Sequence, residues 1–168
     1  MKAETSLAVI SSAAITKEEE NDAFREFLKV QDAGHVDTLV NVLNSQVEPL
    51  IDCTACGNCC RSLIINVEDK EADNLAAHLG LSRASFDEKY IEKSTGGIMA
   101  VNTIPCHFLS NNQCTVYEHR FADCRRFPNL HLPGFTNRLF ASFMHYGRCP
   151  IVYNVIEYLK QEMNWQLP

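Results

Sequence analysis

Four cysteines occur within eight residues, in the segment Cys53-Thr54-Ala55-Cys56-Gly57-Asn58-Cys59-Cys60. A C-x2-C spacing lets two thiolates of one tight turn reach a single ion at about 2.3 Å, the usual zinc–sulfur distance. If residues 53–60 form one or two helical turns, all four cysteines lie within an arc of roughly 120° and share one face. The segment therefore predicts a metal centre around which the neighbouring chain folds.

The chain has 8 cysteines in all, and the other four lie downstream. Adjacent side chains such as Cys59 and Cys60 rarely converge on one tetrahedral ion, so the adjacent pair suggests two centres, or one centre plus a free thiol. Two four-sulfur sites would use every cysteine. We therefore expect eight metal ligands, which are Cys53, Cys56, Cys59, Cys60, Cys106, Cys114, Cys124 and Cys149.

Histidines near these cysteines could replace a thiol as a ligand. His107 and His119 lie close to cysteines in sequence, and His131 and His145 are weaker candidates. Because eight sulfurs already suffice for two sites, we expect each histidine to be a structural or surface residue.

Arginine accompanies the downstream cysteines. Residues 106–149 contain five arginines, no lysine and two acidic residues, so the stretch carries +3 before any thiol ionises. Three arginines are immediate neighbours of cysteines, namely Arg61, Arg125 and Arg148. Since a tetrathiolate site is anionic and a guanidinium keeps its proton, these arginines could offset the charge of a metal centre.

Composition, net charge and the length of apolar runs disfavour several classes of protein. A chain of 168 residues with 46% hydrophobic and 21% charged residues has the size and composition of a globular domain. Its net charge of -6 does not favour nucleic-acid binding along the whole surface, and no apolar run approaches the roughly 18 residues of a membrane span. The apolar run after Lys2 is short and broken by Ser11 and Ser12, unlike a secretory leader. We therefore expect a cytoplasmic protein with reduced thiols.

The hydrophobic pattern predicts an α+β fold, a small and mainly helical domain with a short β-hairpin, stapled by cysteine-bound metal. The expected hairpin runs from Pro105 to Tyr117 around a polar turn at residues 110–113, which would bring Cys106 and Cys114 together. The expected helices cover about residues 16–31, 36–47, 68–79, 82–90, 118–127 and 151–165, and the expected strands cover residues 63–67 and 98–104. We predict three regions: a helical extension (1–50), a cysteine-cluster domain (51–150) and a C-terminal helix packing on it (151–168).

Four sequence blocks resemble the bacterial YkgJ-like cysteine-cluster family of zinc- or iron-chelating domains. The blocks are Cys53-x2-Cys56-Gly57-x-Cys59-Cys60, Pro105-Cys106-x-Phe108-Leu109, Cys114-x-Val116-Tyr117-Glu118-x-Arg120 and Cys124-Arg125-x-Phe127-Pro128. The resemblance covers about residues 51–149 and implies a small mixed domain stapled by metal. A related domain occurs in flagellin lysine methylases, but this chain is too short to supply a separate methyl-donor domain. It also departs from the family pattern at Phe121, where a proline often stands.

The first functional hypothesis is therefore a metal-binding protein that holds zinc or iron, including a [4Fe-4S] cluster as one form of iron. Its partner is the metal ion; we expect no membrane or nucleic-acid partner, and no protein partner can be named. The alternative is an iron–sulfur or zinc enzyme of the transfer or redox type, but no paired carboxylates or nucleophile–base pattern accompany the thiols. A thiol–disulfide module and a disulfide-stapled secreted domain rank below these.

Overall fold

The structure is a computed structural model that describes residues 1–167. These residues form helices and a few short antiparallel strands, which confirms the predicted α+β class. They divide into two compact units. We call residues 53–127 the cysteine unit, and residues 1–52 together with those from 128 onward the helical unit. Residues 128–150 thus belong to the helical unit, whereas the sequence suggested a boundary at residue 150.

The helices, in chain order, are α1 (Leu7–Thr16), α2 (Glu18–Lys29), α3 (Ala33–Val47), α4 (Cys53–Cys56), α5 (Asn58–Ser62), α6 (Asp69–His78), α7 (Arg83–Tyr90), α8 (Ala122–Arg126), α9 (Leu139–Met144) and α10 (Pro150–Glu162). The strands are β1 (Asn66–Val67), β2 (Ile91–Lys93), β3 (Met99–Val101), β4 (Leu109–Ser110) and β5 (Gln113–Cys114). Short 3₁₀ turns cover Glu48–Leu50, Tyr117–His119 and Phe135–Arg138.

The helical unit is built around the contact of α10 with α3. Pro150 opens α10 at a position where its missing N–H costs no hydrogen bond, as the sequence predicted. Val155, Ile156 and Leu159 follow at helical spacing and are fully buried. Burying this apolar stripe is what makes α10 part of the core.

Two helix starts in the helical unit differ from the prediction. Thr16 was expected to cap a helix, but its hydroxyl donates to the Ser12 carbonyl at 3.2 Å and ends α1 instead. The preceding helix, α1, begins after Ser6, whose hydroxyl accepts the Val9 N–H. Asp32, expected in a break, caps α3 by accepting the His35 N–H at 2.7 Å.

The cysteine unit contains a three-stranded antiparallel sheet in the order β1-β3-β2. Helix α6 starts with a capping box between Glu68 and Glu71 and ends before Gly80, and Ser82 caps α7, all close to the predicted positions. These helices bury Leu75 and Phe86 against the apolar side of the sheet. Strand β2 was not predicted, because its three residues directly follow the helical pattern of α7.

The predicted hairpin is present as β4 and β5. Leu109 pairs with Cys114, and a two-residue turn of Asn111 and Asn112 joins the strands. Both asparagines have positive φ, 47° and 66°, a conformation that asparagine adopts more readily than most residues. The turn chemistry alone therefore fixes the register that places Cys114.

Candidate metal centre

The cysteine-rich segment turns back on itself at Gly57. The condition for a shared helical face, helical turns running through residues 53–60, is not met, because Gly57 has a φ of 56° and separates α4 from α5. Cys59 and Cys60 therefore lie on a second short helix and do not continue the face of Cys53 and Cys56. A left-handed residue ends an α-helix, and glycine adopts that conformation without steric cost.

The hairpin tip packs directly on this glycine. A Cβ atom at Gly57 would lie 2.6 Å from the Asn112 carbonyl oxygen, so only glycine fits there. Arg61 holds the two segments together, because it donates to the Cys56 carbonyl oxygen at 3.0 Å and also to Asn112 Oδ1. The turn of the hairpin is thereby fixed against the cysteine-rich segment.

Backbone hydrogen bonds bring the next two cysteines to the same place. The Cys106 N–H donates to the Cys60 carbonyl oxygen at 2.8 Å. Cys114, on β5, stands opposite Leu109, and the next residue, Thr115, donates its N–H to the Phe108 carbonyl oxygen at 2.8 Å. Cys60, Cys106 and Cys114 thus come from segments that are tied together by their backbones.

The adjacent cysteines interact with each other. Cys59 Sγ and Cys60 Sγ lie 3.9 Å apart. The hydrogen bond from Cys60 lowers the pKa of the Cys59 thiol, and the charge of Arg120 acts in the same direction. The same hydrogen bond raises the pKa of the Cys60 thiol, which burial and the neighbouring thiolates raise further. The pair is therefore arranged to carry one negative charge between two sulfurs.

Burial and neighbouring sulfur also act on Cys106 and Cys124. Burial raises the pKa of Cys106, and negative charge on Cys114 and Cys59 adds to the effect. Burial raises the pKa of Cys124 to about 12, and negative charge on Cys106, Cys59 and Cys114 adds to it. Negative charge on neighbouring sulfurs therefore acts in the same direction as burial at three thiols, those of Cys60, Cys106 and Cys124.

The chemistry of this set fits a thiophilic metal ion. Two thiolates bound to one tetrahedral zinc lie about 3.8 Å apart, from a zinc–sulfur bond of about 2.3 Å. The 3.9 Å between Cys59 Sγ and Cys60 Sγ is close to that sulfur–sulfur distance, so the adjacent pair does not by itself require two metal centres. Within residues 1–167, no disulfide links the cysteines and no three Cys, His, Asp or Glu side chains already form a metal-binding group.

The other predicted ligands differ in burial and in the contacts of their side chains. Cys53 is exposed and Cys56 half-buried, both on α4, while Cys149 is buried in the helical unit. His107 Nε2 is 2.7 Å from Asn102 Oδ1, and the His119 ring stacks on His78 with centroids 3.8 Å apart. His131 and His145 belong to the helical unit.

The arginines next to cysteines in sequence contact other groups. Arg61 holds the hairpin tip, and Arg125 donates to the Arg120 carbonyl oxygen and lies 3.6 Å from a carboxylate oxygen of Glu71. The arginine whose charge acts on Cys59 is Arg120, which has no cysteine beside it in sequence. Sequence analysis missed its role, although Arg120 stands between Cys114 and Cys124 in one of the family blocks.

The sequence profile of one family, CxxCxxCC, described as "Putative zinc- or iron-chelating domain", matches residues 52–150. The chain belongs to this family. The match contains all eight cysteines and ends one residue after Cys149. Comparisons with curated proteins and with solved structures found no match. Among residues 1–167, every helix is too short or too polar to cross a membrane.

Proposed function

We propose that this CxxCxxCC protein holds zinc or iron through its cysteines and that the bound metal stabilises the cysteine unit. The observation that carries the proposal is that α5 and the hairpin, with the residues before it, hold cysteines together: Cys59 Sγ and Cys60 Sγ lie 3.9 Å apart, and the Cys106 N–H donates to the Cys60 carbonyl oxygen. Charge on neighbouring sulfurs also acts on Cys124 of α8. Cys53, Cys56 and Cys149 remain proposed ligands on the sequence argument. The family description supports the same choice of metals.

The electrostatics of the thiols explain what a metal would contribute. With raised pKa values, Cys106 and Cys124 keep their protons at neutral pH, because burial disfavours the thiolate and charge on neighbouring sulfurs adds to the effect. A divalent cation stabilises the thiolates and displaces the protons. Metal binding would therefore add a link between cysteines of α5, the hairpin and α8 to the hydrophobic packing of Phe108, Val116 and Phe121.

The identity of the metal decides the role. Zinc has no redox chemistry and would make the protein a structural or storage module, whereas iron, including a [4Fe-4S] cluster, would permit electron transfer. We propose a cytoplasmic location, because a reducing compartment keeps clustered cysteines available to metal.

The test is metal content in a pair of matched variants purified without oxygen. Cys106→Ser removes one thiol from the group, and Ser62→Ala is the control, because Ser62 is on α5 beside the cysteines and its hydroxyl only donates to the Asn58 carbonyl oxygen. We expect Ser62→Ala to keep the metal content of the natural protein and Cys106→Ser to lose most of it. Equal metal content in the two variants would contradict the assignment of Cys106.

A further inference from the structure

Arg120 is fixed in place by neighbouring residues of the cysteine unit. It follows the 3₁₀ turn Tyr117–His119, and its guanidinium carbon lies 3.7 Å from the centre of the Tyr117 ring. Its carbonyl oxygen accepts a hydrogen bond from the Arg125 guanidinium. Both the backbone and the side chain of Arg120 are therefore held, and stacking on an aromatic ring favours the planar guanidinium of arginine over lysine.

One polar atom of this side chain has no acceptor. Arg120 Nε is buried, and no group among residues 1–167 accepts its hydrogen. Folded proteins contain few buried donors of this kind, because the lost hydrogen bond to water is not replaced. This N–H belongs to a permanently charged guanidinium, so the acceptor that it lacks would be an anion or another strong hydrogen-bond acceptor.

Neighbouring arginines, unlike Arg120, have oxygen partners for their guanidinium groups. Arg61 donates to oxygens of Cys56 and Asn112, and Arg126 forms an ion pair with Asp123 at 3.3 Å. In the part of the chain that the structure describes, no carboxylate oxygen lies within ion-pair distance of Arg120, whereas its charge acts on the Cys59 thiol. The charge of Arg120 is therefore not compensated by a carboxylate among the described residues.

We infer that Arg120 is a positioning residue of the metal centre, whose Nε–H donates to a metal-bound thiolate of the Cys59–Cys60 pair. The inference rests on the proposed function, because the acceptor is the anionic sulfur that metal binding creates. Thiolate centres of zinc or iron carry net negative charge, and hydrogen bonds to their sulfurs govern how strongly the metal is held. Arg120 supplies both the hydrogen bond and the compensating charge.

Two substitutions separate these contributions. Arg120→Lys keeps the positive charge and removes the Nε–H, whereas Arg120→Met removes both. Arg126→Met is the matched control, because it removes one positive charge two residues after Cys124 from a side chain that is 51% exposed. Each protein is prepared metal-free, and zinc affinity is measured by competition with a chromophoric chelator at constant pH. Cobalt(II) loading then reports the sulfur-to-metal charge-transfer bands.

We expect the natural protein and all variants to bind the same number of zinc ions. A hydrogen bond to a charged group corresponds to roughly ten- to hundredfold in affinity, so both Arg120 variants should bind zinc weaker by that factor. Arg126→Met should stay within about threefold of the natural protein. The cobalt bands should shift in both Arg120 variants, and the metal-free melting temperature of Arg120→Lys should not fall, because the lost donor had no acceptor.

Two results would overturn the inference. If the natural protein binds zinc and the Arg120 variants bind it equally tightly with unshifted cobalt bands, the role of Arg120 is wrong while the proposed function stands. If the natural protein binds neither zinc nor iron, the proposed function fails and the inference fails with it. Arg120→Lys, which keeps a cation beside Tyr117, decides the question if Arg120→Met does not fold.

Discussion

Replacing Gly57 by alanine tests how the cysteine-rich segment is held against the hairpin. Gly57 has a φ of 56°, and a Cβ atom there would lie 2.6 Å from the Asn112 carbonyl oxygen and 3.1 Å from the Asn112 Cα. The left-handed conformation alone costs a non-glycine residue about 1–2 kcal/mol. Because the obstructing atoms are backbone, the hairpin tip must shift, which adds about 1–3 kcal/mol by comparison with overpacked cores. We expect a total loss of about 2–5 kcal/mol in the cysteine unit.

Gly80→Ala is the matched control. Gly80 also has a positive φ, 68°, but a Cβ atom there would meet nothing within 4 Å. This variant should therefore lose only the conformational part, about 1–2 kcal/mol. The difference between the two variants isolates the contact of Gly57 with Asn112.

The assay is amide hydrogen exchange of the metal-free proteins, read on peptides from the cysteine unit, because the free energy of opening is then obtained for that unit by itself. Gly57→Ala should increase exchange in α5 and in the hairpin more than Gly80→Ala does. Zinc affinity should also fall in Gly57→Ala, since Cys114 moves with the hairpin. Equal exchange in the two variants would refute the close contact at Gly57.

Two further predictions concern pH and a buried charge. Because burial raises the pKa of Cys106 and Cys124, metal binding must displace their protons, and zinc affinity should fall about tenfold per pH unit for each proton released as pH decreases from 8 to 6. A pH-independent affinity in a chelator competition would contradict this. Lys160, whose side chain is 6% exposed, lies 2.8 Å from Glu157, so Lys160→Met should destabilise the helical unit by about 3–5 kcal/mol in urea unfolding followed by Trp165 fluorescence. Lys29→Met, at a side chain 53% exposed, should change stability by less than about 0.5 kcal/mol, and similar midpoints for both variants would argue against the buried ion pair.

Local chemistry was enough to predict part of this fold. The turn of Asn111 and Asn112 lies inside the polar stretch 110–113 where it was expected, and the helices that follow Ser82 and begin at Pro150 lie close to the expected ranges 82–90 and 151–165. Among these local features, the hairpin contributes most to the prediction of the candidate site. Its register follows from the turn, and it accounts for the approach of Cys106 to Cys114.

Long-range contacts explain what could not be predicted. Gly57 meets Asn112, 55 positions later in the chain, and helical spacing within residues 53–60 does not reveal that contact. The side chain of Arg120 is stacked on Tyr117 and its Nε is buried without an acceptor, which the arginine's sequence neighbours do not indicate. Thr16 could either cap one helix or close the preceding one, and only the hydrogen bond to Ser12 distinguishes these outcomes.

The most direct test of the metal-binding proposal is element analysis with an absorption spectrum on one sample of the natural protein, purified without oxygen. We predict at least one zinc ion per chain in a colourless sample, or stoichiometric iron with a broad visible charge-transfer band. Thiol counting after removal of the metal should then find eight reduced cysteines. A folded protein that contains neither metal and has all eight thiols free would contradict the proposed function.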